Sequence, residues 1–279
     1  MKAMCVHCLI PAQGEPRIDV MAMFEFELAR VEDILPWGKP GELSLSWFAL
    51  TFGYFRMSVG GQVLFRYTDE LLSHWGESER DADYQIAAFA RDILGSAAPA
   101  VAPLPPIIER LVSDWQLLAE LQRPIDDDLE LVDDRWYVAW RWLNVRSPST
   151  WYLVAHPRLQ FVRVGDELRI HWDNREQLID GLPVWTAQQG VHVMSVDAFL
   201  EECRDFAQRL LSAMHDRIAG IEGGAMKPQV EVSTGSLYEE HEMWRGEFES
   251  YFREYQPDIQ WQETENALKA IAERKGFRL

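Results

Sequence analysis

Between Ser195 and Gly220 the chain places Val196, Phe199, Cys203, Phe206, Leu210, Met214 and Ile218 three or four residues apart. That spacing draws one apolar stripe along a long α-helix, and such a stripe holds its shape only when other elements cover it. Ser195 stands where an N-cap belongs, and Asp197 falls in the first turn, where the helix dipole favours a carboxylate. Gly220 is placed to close the helix in the left-handed conformation with Ile221 packing back. Cys203 lies on the stripe, so it reads as packing and not as a reactive thiol.

Strand patterns supply the covering surface. In residues 23–28, Phe24, Phe26 and Leu28 alternate with Glu25 and Glu27, the pattern of a half-buried strand. The turn-forming run PWGKPG follows, and residues 43–50 then alternate Leu43, Leu45 and Trp47 against Ser44 and Ser46, which predicts another strand. β-rich runs at 54–59 and 62–67 are joined by Gly60-Gly61. Both central positions of a type I′ turn need positive φ, so this pair of runs predicts a hairpin. A second strand block follows Pro148, at 151–155, 161–164 and 168–172, with Gly165-Asp166 as its turn.

The interval between the blocks is helical. Ile86, Phe89, Ala90, Ile93 and Leu94 form one stripe that is expected to end at Gly95. Pro105-Pro106 starts a second, through Ile108, Leu111, Trp115 and Leu118. A third, through Leu129, Val132, Trp136, Trp140 and Leu143, follows Asp126-Asp127-Asp128. That acidic triplet lacks the alternating ligands of a calcium loop and suits a helix N-terminus instead. Trp136, Trp140 and Trp142 at helical spacing read as core.

The fold class is therefore α+β: two antiparallel strand blocks separated by a helical segment, with a long amphipathic helix and a C-terminal helical appendage. Residues 1–22, broken by Pro11, Gly14 and Pro16, are expected to form a disordered extension, and 23–222 the main domain. Residues 223–236 read as a linker and 237–279 as the acidic appendage. In it, Ser236 and Glu239 have capping-box spacing, and Leu237, His241, Trp244, Phe248, Phe252 and Tyr255 form an aromatic-rich stripe. A last short helix should include residues 267–275.

Charge narrows the function. A formal net charge of -18 over 279 residues argues against direct nucleic-acid or anionic-membrane binding, which reward clusters of Lys and Arg. Cys5 and Cys8 have the spacing of half a zinc site without a second ligand pair, and three cysteines in a chain this long fit a reducing compartment. No metal and no cofactor are expected. No run reaches the roughly 20 apolar residues of a membrane span. The stretch after Lys2 is interrupted by His7 and Pro11, too early for a secretory signal, so a cytoplasmic protein is expected.

The chemistry-bearing segment is 168–190, LRIHWDNREQLIDGLPVWTAQQG. Residues two apart on a strand share a face, so His171 and Asp173 project together, and Asn174, Arg175 and Asp180 can converge from the loop that follows. A His beside an Asp can act as a general base, but no nucleophile, phosphate loop or zincin spacing accompanies it. Asp173 and Asn174 equally suit a turn.

The order PWG, LSWFALTFGYF, VGGQVLFRY, LRIHWDN, IDGLPVWTA and SVDAFLEECRDF resembles an uncharacterised bacterial family, a domain of unknown function, over about residues 23–222. The resemblance implies domain limits and no reaction. The expectation is then a non-enzymatic acidic interaction protein, most concretely an immunity protein that neutralises a basic, nucleic-acid-targeting toxin domain. Its partner-binding residues would be Glu239, Glu240, Glu242, Trp244, Glu247, Glu249 and Glu254, with the acids of that helix facing outward. The alternative is a small enzyme or ligand-binding domain built on His171, Asp173, Asn174 and Asp180.

Overall fold

The computed structural model describes residues 22–39, 42–123, 134–223, 230–253, 255 and 258–279. The expected 1–22 extension apart from its last residue, with both N-terminal cysteines, the acidic triplet at 126–128, Leu129 and Val132 of the third expected stripe, and Glu254 lie outside the described residues.

The first strand block opens with β1 (Phe24–Leu28), β2 (Leu43–Ser44), β3 (Phe52–Val59) and β4 (Gln62–Val63). β1 pairs antiparallel with β3, and β3 turns back into β4 through Gly60 and Gly61 at φ 56 and 78, as the Gly-Gly pair requires. α1 (Asp69–Trp75), capped by the Thr68 hydroxyl, precedes β5 (Ala82–Gln85), which pairs with β3 and completes a four-stranded sheet. Neither α1 nor β5 stands out in the sequence, because each is shorter than the windows over which a period can be read.

The predicted strand at 43–50 is only two residues long. From Trp47 the chain turns into a 3₁₀ turn, Ala49–Thr51, where consecutive side chains are all buried and no strand face can be solvated. Ser46 Oγ accepts from the Ala49 N–H at 3.2 Å and the Thr51 hydroxyl donates to Phe48 O at 2.7 Å, so local hydroxyls satisfy the turn.

The helical interval comprises α2 (Ile86–Val101), α3 (Pro106–Ser113), α4 (Trp115–Gln122) and α5 (Asp134–Asn144). α2 does not end at Gly95. It continues through Pro99, with Gly95 facing the Tyr251 ring. The stripe from Ile108 to Leu118 is two helices, because Asp114 leaves helical geometry at φ -103, ψ 83 and caps α4 by accepting the Leu117 N–H at 3.0 Å.

The second block is β6 (Leu159–Val164), β7 (Glu167–Asp173), the small hairpin β8 (Leu178–Ile179) and β9 (Leu182–Pro183), and β10 (Gln189–Ser195). β7 is central, antiparallel to both β6 and β10. The predicted strand at 151–155 is a turn instead, closed by the Leu153 N–H to Thr150 O at 2.9 Å and by a positive φ at Ala155.

α6 (Val196–Glu222) follows with Ser195 as its cap, Oγ accepting from the Ala198 N–H at 3.2 Å. It passes Gly220 and stops at Gly223 with φ -74, so no left-handed residue closes it. β11 (Val230–Glu231) pairs parallel with β2. α7 (Thr234–Ser250) is capped by Ser233, not Ser236, through the Ser236 N–H at 3.3 Å, and α8 (Trp261–Arg274) ends the chain.

The α6 stripe meets the inner face of the first sheet. Phe206 lies 5.3 Å from Phe24 and 5.7 Å from Phe55, Phe89 of α2 stacks on Phe55 at 4.4 Å, and Phe199 reaches Phe161 of the second sheet at 5.4 Å. Leu237 and Phe248 of α7 join this core. α8 packs elsewhere, on α5 and the α3–α4 pair, where Leu268 and Trp142 help fill a second cluster.

Candidate functional site

His171 and Asp173 do line one cleft, of about 370 Å³, together with Gln160, Arg158, Arg175 and Glu176. The strand period puts both on one side of β7, but they do not act on one another. The Trp115 ring lies flat on His171, centroids 3.8 Å apart and 8° from parallel, leaving the imidazole 4% exposed. Burial, and then the Arg169 charge, pull the His171 pKa down to about 4, so the ring is neutral at pH 7. Among the described residues its Nε2 has no hydrogen-bond partner. Asp173 is engaged by Arg175, whose Nη2 lies 2.6 Å from Oδ2, and this hydrogen bond holds the carboxyl below its usual pKa.

Asn174 is wholly buried and structural. Its Oδ1 accepts from the Arg158 N–H at 2.8 Å and its Nδ2 donates to Ala187 O at 2.8 Å, tying three loops together. Asp180 does not reach the cleft. It turns the β8–β9 hairpin at φ 51 and faces His74, 3.1 Å away. Of the five polar groups expected to converge, His171, Asp173 and Arg175 line the cleft, and there Arg175 engages Asp173 and not His171.

The carboxylates of α7 divide. Glu240 Oε2 accepts the Trp47 backbone N–H at 2.9 Å, and Glu247 Oε1 accepts from the Tyr251 hydroxyl at 2.6 Å, so these two turn inward and not outward as expected. Glu242 pairs with Arg245 at 3.1 Å. Glu239 and Glu249 are exposed. Trp244 is partly buried, stacked 5.1 Å from Trp47, and anchors the helix.

A more strongly acidic surface lies on the outer face of the first sheet. Register sets Glu27 opposite Tyr54 and Tyr54 opposite Asp83, so a half-buried tyrosine sits between two exposed carboxylates in one row across three strands. Glu77 and Glu79 add to the field. Burial, followed by the charges of Glu79, Asp83, Glu27 and Glu77, raises the Tyr54 pKa. Asp83 is raised as well, by burial and then by Glu79 and Glu77, against a hydrogen bond from its own backbone. The alternation of residues 24–28 marks Glu27 as solvent-facing, but its cross-strand partners follow from pairing that no local pattern encodes.

Fold and surface together define an α+β domain with open clefts and acidic exposed faces. Among the described residues, no three His, Cys, Asp or Glu side chains are grouped to hold a metal ion, and no helix is long and apolar enough to cross a membrane. The chain belongs to a family of unknown function, DUF5984, whose model matches residues 23–267. The matched span begins at Met23, where the strand alternation starts, and continues past Glu222 through α7 and into α8. No curated protein and no solved structure matches the chain.

Proposed function

We propose that this is a non-enzymatic cytoplasmic binding protein whose acidic surface takes a basic protein partner, in its most concrete form an immunity protein that neutralises a nucleic-acid-targeting toxin domain. The observation that carries the reading is the Glu27–Tyr54–Asp83 row with Glu77 and Glu79 beside it. None of these four carboxylates forms an ion pair with another described residue; Glu79 accepts the Arg80 and Asp81 backbone N–H groups and the Glu27 charge acts on Arg56, and a cationic partner would relieve the repulsion that remains. Tyr54 supplies a rigid amphipathic anchor at the centre of that field. A basic cleft shaped for a phosphate backbone would be steered to such a face and covered by it.

Affinity capture from native lysate tests the reading, with wild type set against a Glu27→Lys, Asp83→Lys variant of matched melting temperature. A basic protein retained by the wild type and lost from the variant, and lost from both as salt is raised, is the expected result. Equal recovery by the two would remove this face from the mechanism.

The unpartnered Nε2 of His171 supports a second reading, a ligand-binding domain centred on the His171 cleft. Its neutral imidazole and its Arg–carboxylate pairs suit an uncharged polar ligand. Such a ligand would perturb the His171 ring resonances and leave Asp180 unaffected.

A further inference from the structure

We propose that the groove between α6 and α7 binds a small carboxylate that carries an apolar body. The proposal does not depend on the Glu27–Tyr54–Asp83 face and uses none of that face's residues. The groove, about 650 Å³, is walled by Leu211 and Ala207 from α6 and by Phe248 and Phe252 from the α7 side. His241 and Arg245 form one polar end, with His215 beside His241, and Arg204 lies at the other end over the Phe252 ring.

The tautomer of His241 decides what that end can hold. Trp47 Nε1 lies 3.1 Å from His241 Nδ1, and an indole nitrogen can only donate, so Nδ1 must be the unprotonated acceptor. The ring proton is then on Nε2. Arg245 Nη2 lies 3.4 Å from that same Nε2, and a guanidinium also can only donate. Two N–H groups thus converge at the groove wall with no acceptor among the described residues between them. Protonating the ring would not help, since it would set an Nδ1–H against the indole N–H. Burial, then the charges of Arg245 and His215, lower the His241 pKa, with Glu242 opposing.

An anionic oxygen accepting from both groups resolves the conflict. Glu242 already takes Nη1 of Arg245, at 3.1 Å, which leaves Nη2 for a ligand. Glu249 lines the groove one helical turn further on and is exposed, so it competes weakly. The rest of the lining is mostly apolar, which selects an acid with a hydrocarbon or aryl body over inorganic phosphate.

Calorimetric titration of the full chain with octanoate, octanol and inorganic phosphate tests this. Octanoate should bind, octanol should bind at least about tenfold more weakly, and phosphate should not compete. Arg245→Gln should weaken octanoate about tenfold, the usual effect of losing a charge-assisted hydrogen bond, while Glu249→Gln should preserve or tighten binding. Because Arg245 is exposed, its variant should keep the wild-type melting temperature. Nitrogen-15 shifts of the His241 ring should report protonation at Nε2. Failure of octanoate to bind, equal binding of octanol, tight binding of phosphate, an unchanged Arg245→Gln affinity, or a proton on Nδ1 would each overturn the proposal.

Discussion

The indole N–H of Trp47 donates to Nδ1 of His241 at 3.1 Å, joining the turn after β2 to α7 across 194 positions of sequence. The neighbouring contacts act in the same direction: the Trp47 backbone N–H reaches Glu240 and the Trp47 ring stacks on Trp244. α7 is therefore held by a specific polar contact as well as by its buried Leu237 and Phe248. Trp47→Phe and His241→Ala should each cost about 2–4 kcal/mol, from a buried hydrogen bond lost or left unpaired together with lost packing. Urea unfolding of the singles and the double checks this. The double should cost clearly less than the sum, and strict additivity would mean that the two side chains do not interact.

His171 should make stability depend on pH. Its folded pKa of about 4 lies below the ordinary value of 6.5, so between these limits the unfolded chain binds the proton and the folded chain does not. Stability is then fully present above pH 6.5 and is lost as pH falls towards 4, by up to about 3 kcal/mol at 1.36 kcal/mol per unit. His171→Gln should flatten the stability profile over that window relative to wild type. Parallel profiles would show that the ring titrates normally and that the Trp115 stack does not exclude solvent.

Asn174 and Gly190 should be sensitive sites in the 168–190 segment for different reasons. Asn174→Ala leaves the Arg158 N–H and the Ala187 carbonyl without their partner, at a cost of about 2–4 kcal/mol. Gly190→Ala would drive a Cβ into the Trp172 ring on the adjacent strand, and β10 would have to shift. Asp180→Asn should change the melting temperature little, since its side chain is 72% exposed. Thermal unfolding of the three variants orders them, and a severe effect of Asp180→Asn would return that residue to a structural or functional centre.

The pattern of these sites explains how far the sequence could be read. The α6 stripe, the Gly60-Gly61 hairpin and the Gly165 turn depend on residues a few positions apart, and each is legible. The turn at 47–51 is not, because Leu45 and Trp47 keep strand alternation up to the point where Ser46 and Thr51 redirect the backbone. At the candidate sites the same limit applies. The strand period places His171 and Asp173 on one face, but that Trp115 would cover His171, or that Arg175 would occupy Asp173, depends on contacts through other elements and short-range loop geometry. Asp180 was within a few residues of the cleft in sequence, yet the β8–β9 hairpin carries it away to His74. Glu240 and Glu247 alternate with core positions on α7 as any solvated face would, and only the packed structure reveals their hydrogen bonds to Trp47 and Tyr251.

That division of the α7 acids yields a test separating fold from surface. Glu240→Lys removes the acceptor of the Trp47 backbone N–H and sets a cation beside a buried aromatic cluster, and Glu247→Lys removes the acceptor of the Tyr251 hydroxyl. Each should lower stability by about 1–3 kcal/mol. Glu239→Lys and Glu249→Lys, on exposed positions, should stay within about 0.5 kcal/mol of wild type. If α7 also faces the basic partner, the exposed pair should slow association while leaving stability alone, and the effect should fade with salt because exposed charges are screened beyond roughly 8 to 10 Å. Rates that respond only to Glu27→Lys and Asp83→Lys would assign partner steering to the first sheet and leave α7 as a structural strap. Equal melting temperatures for Glu240→Lys and Glu239→Lys would instead contradict the inward placement of Glu240.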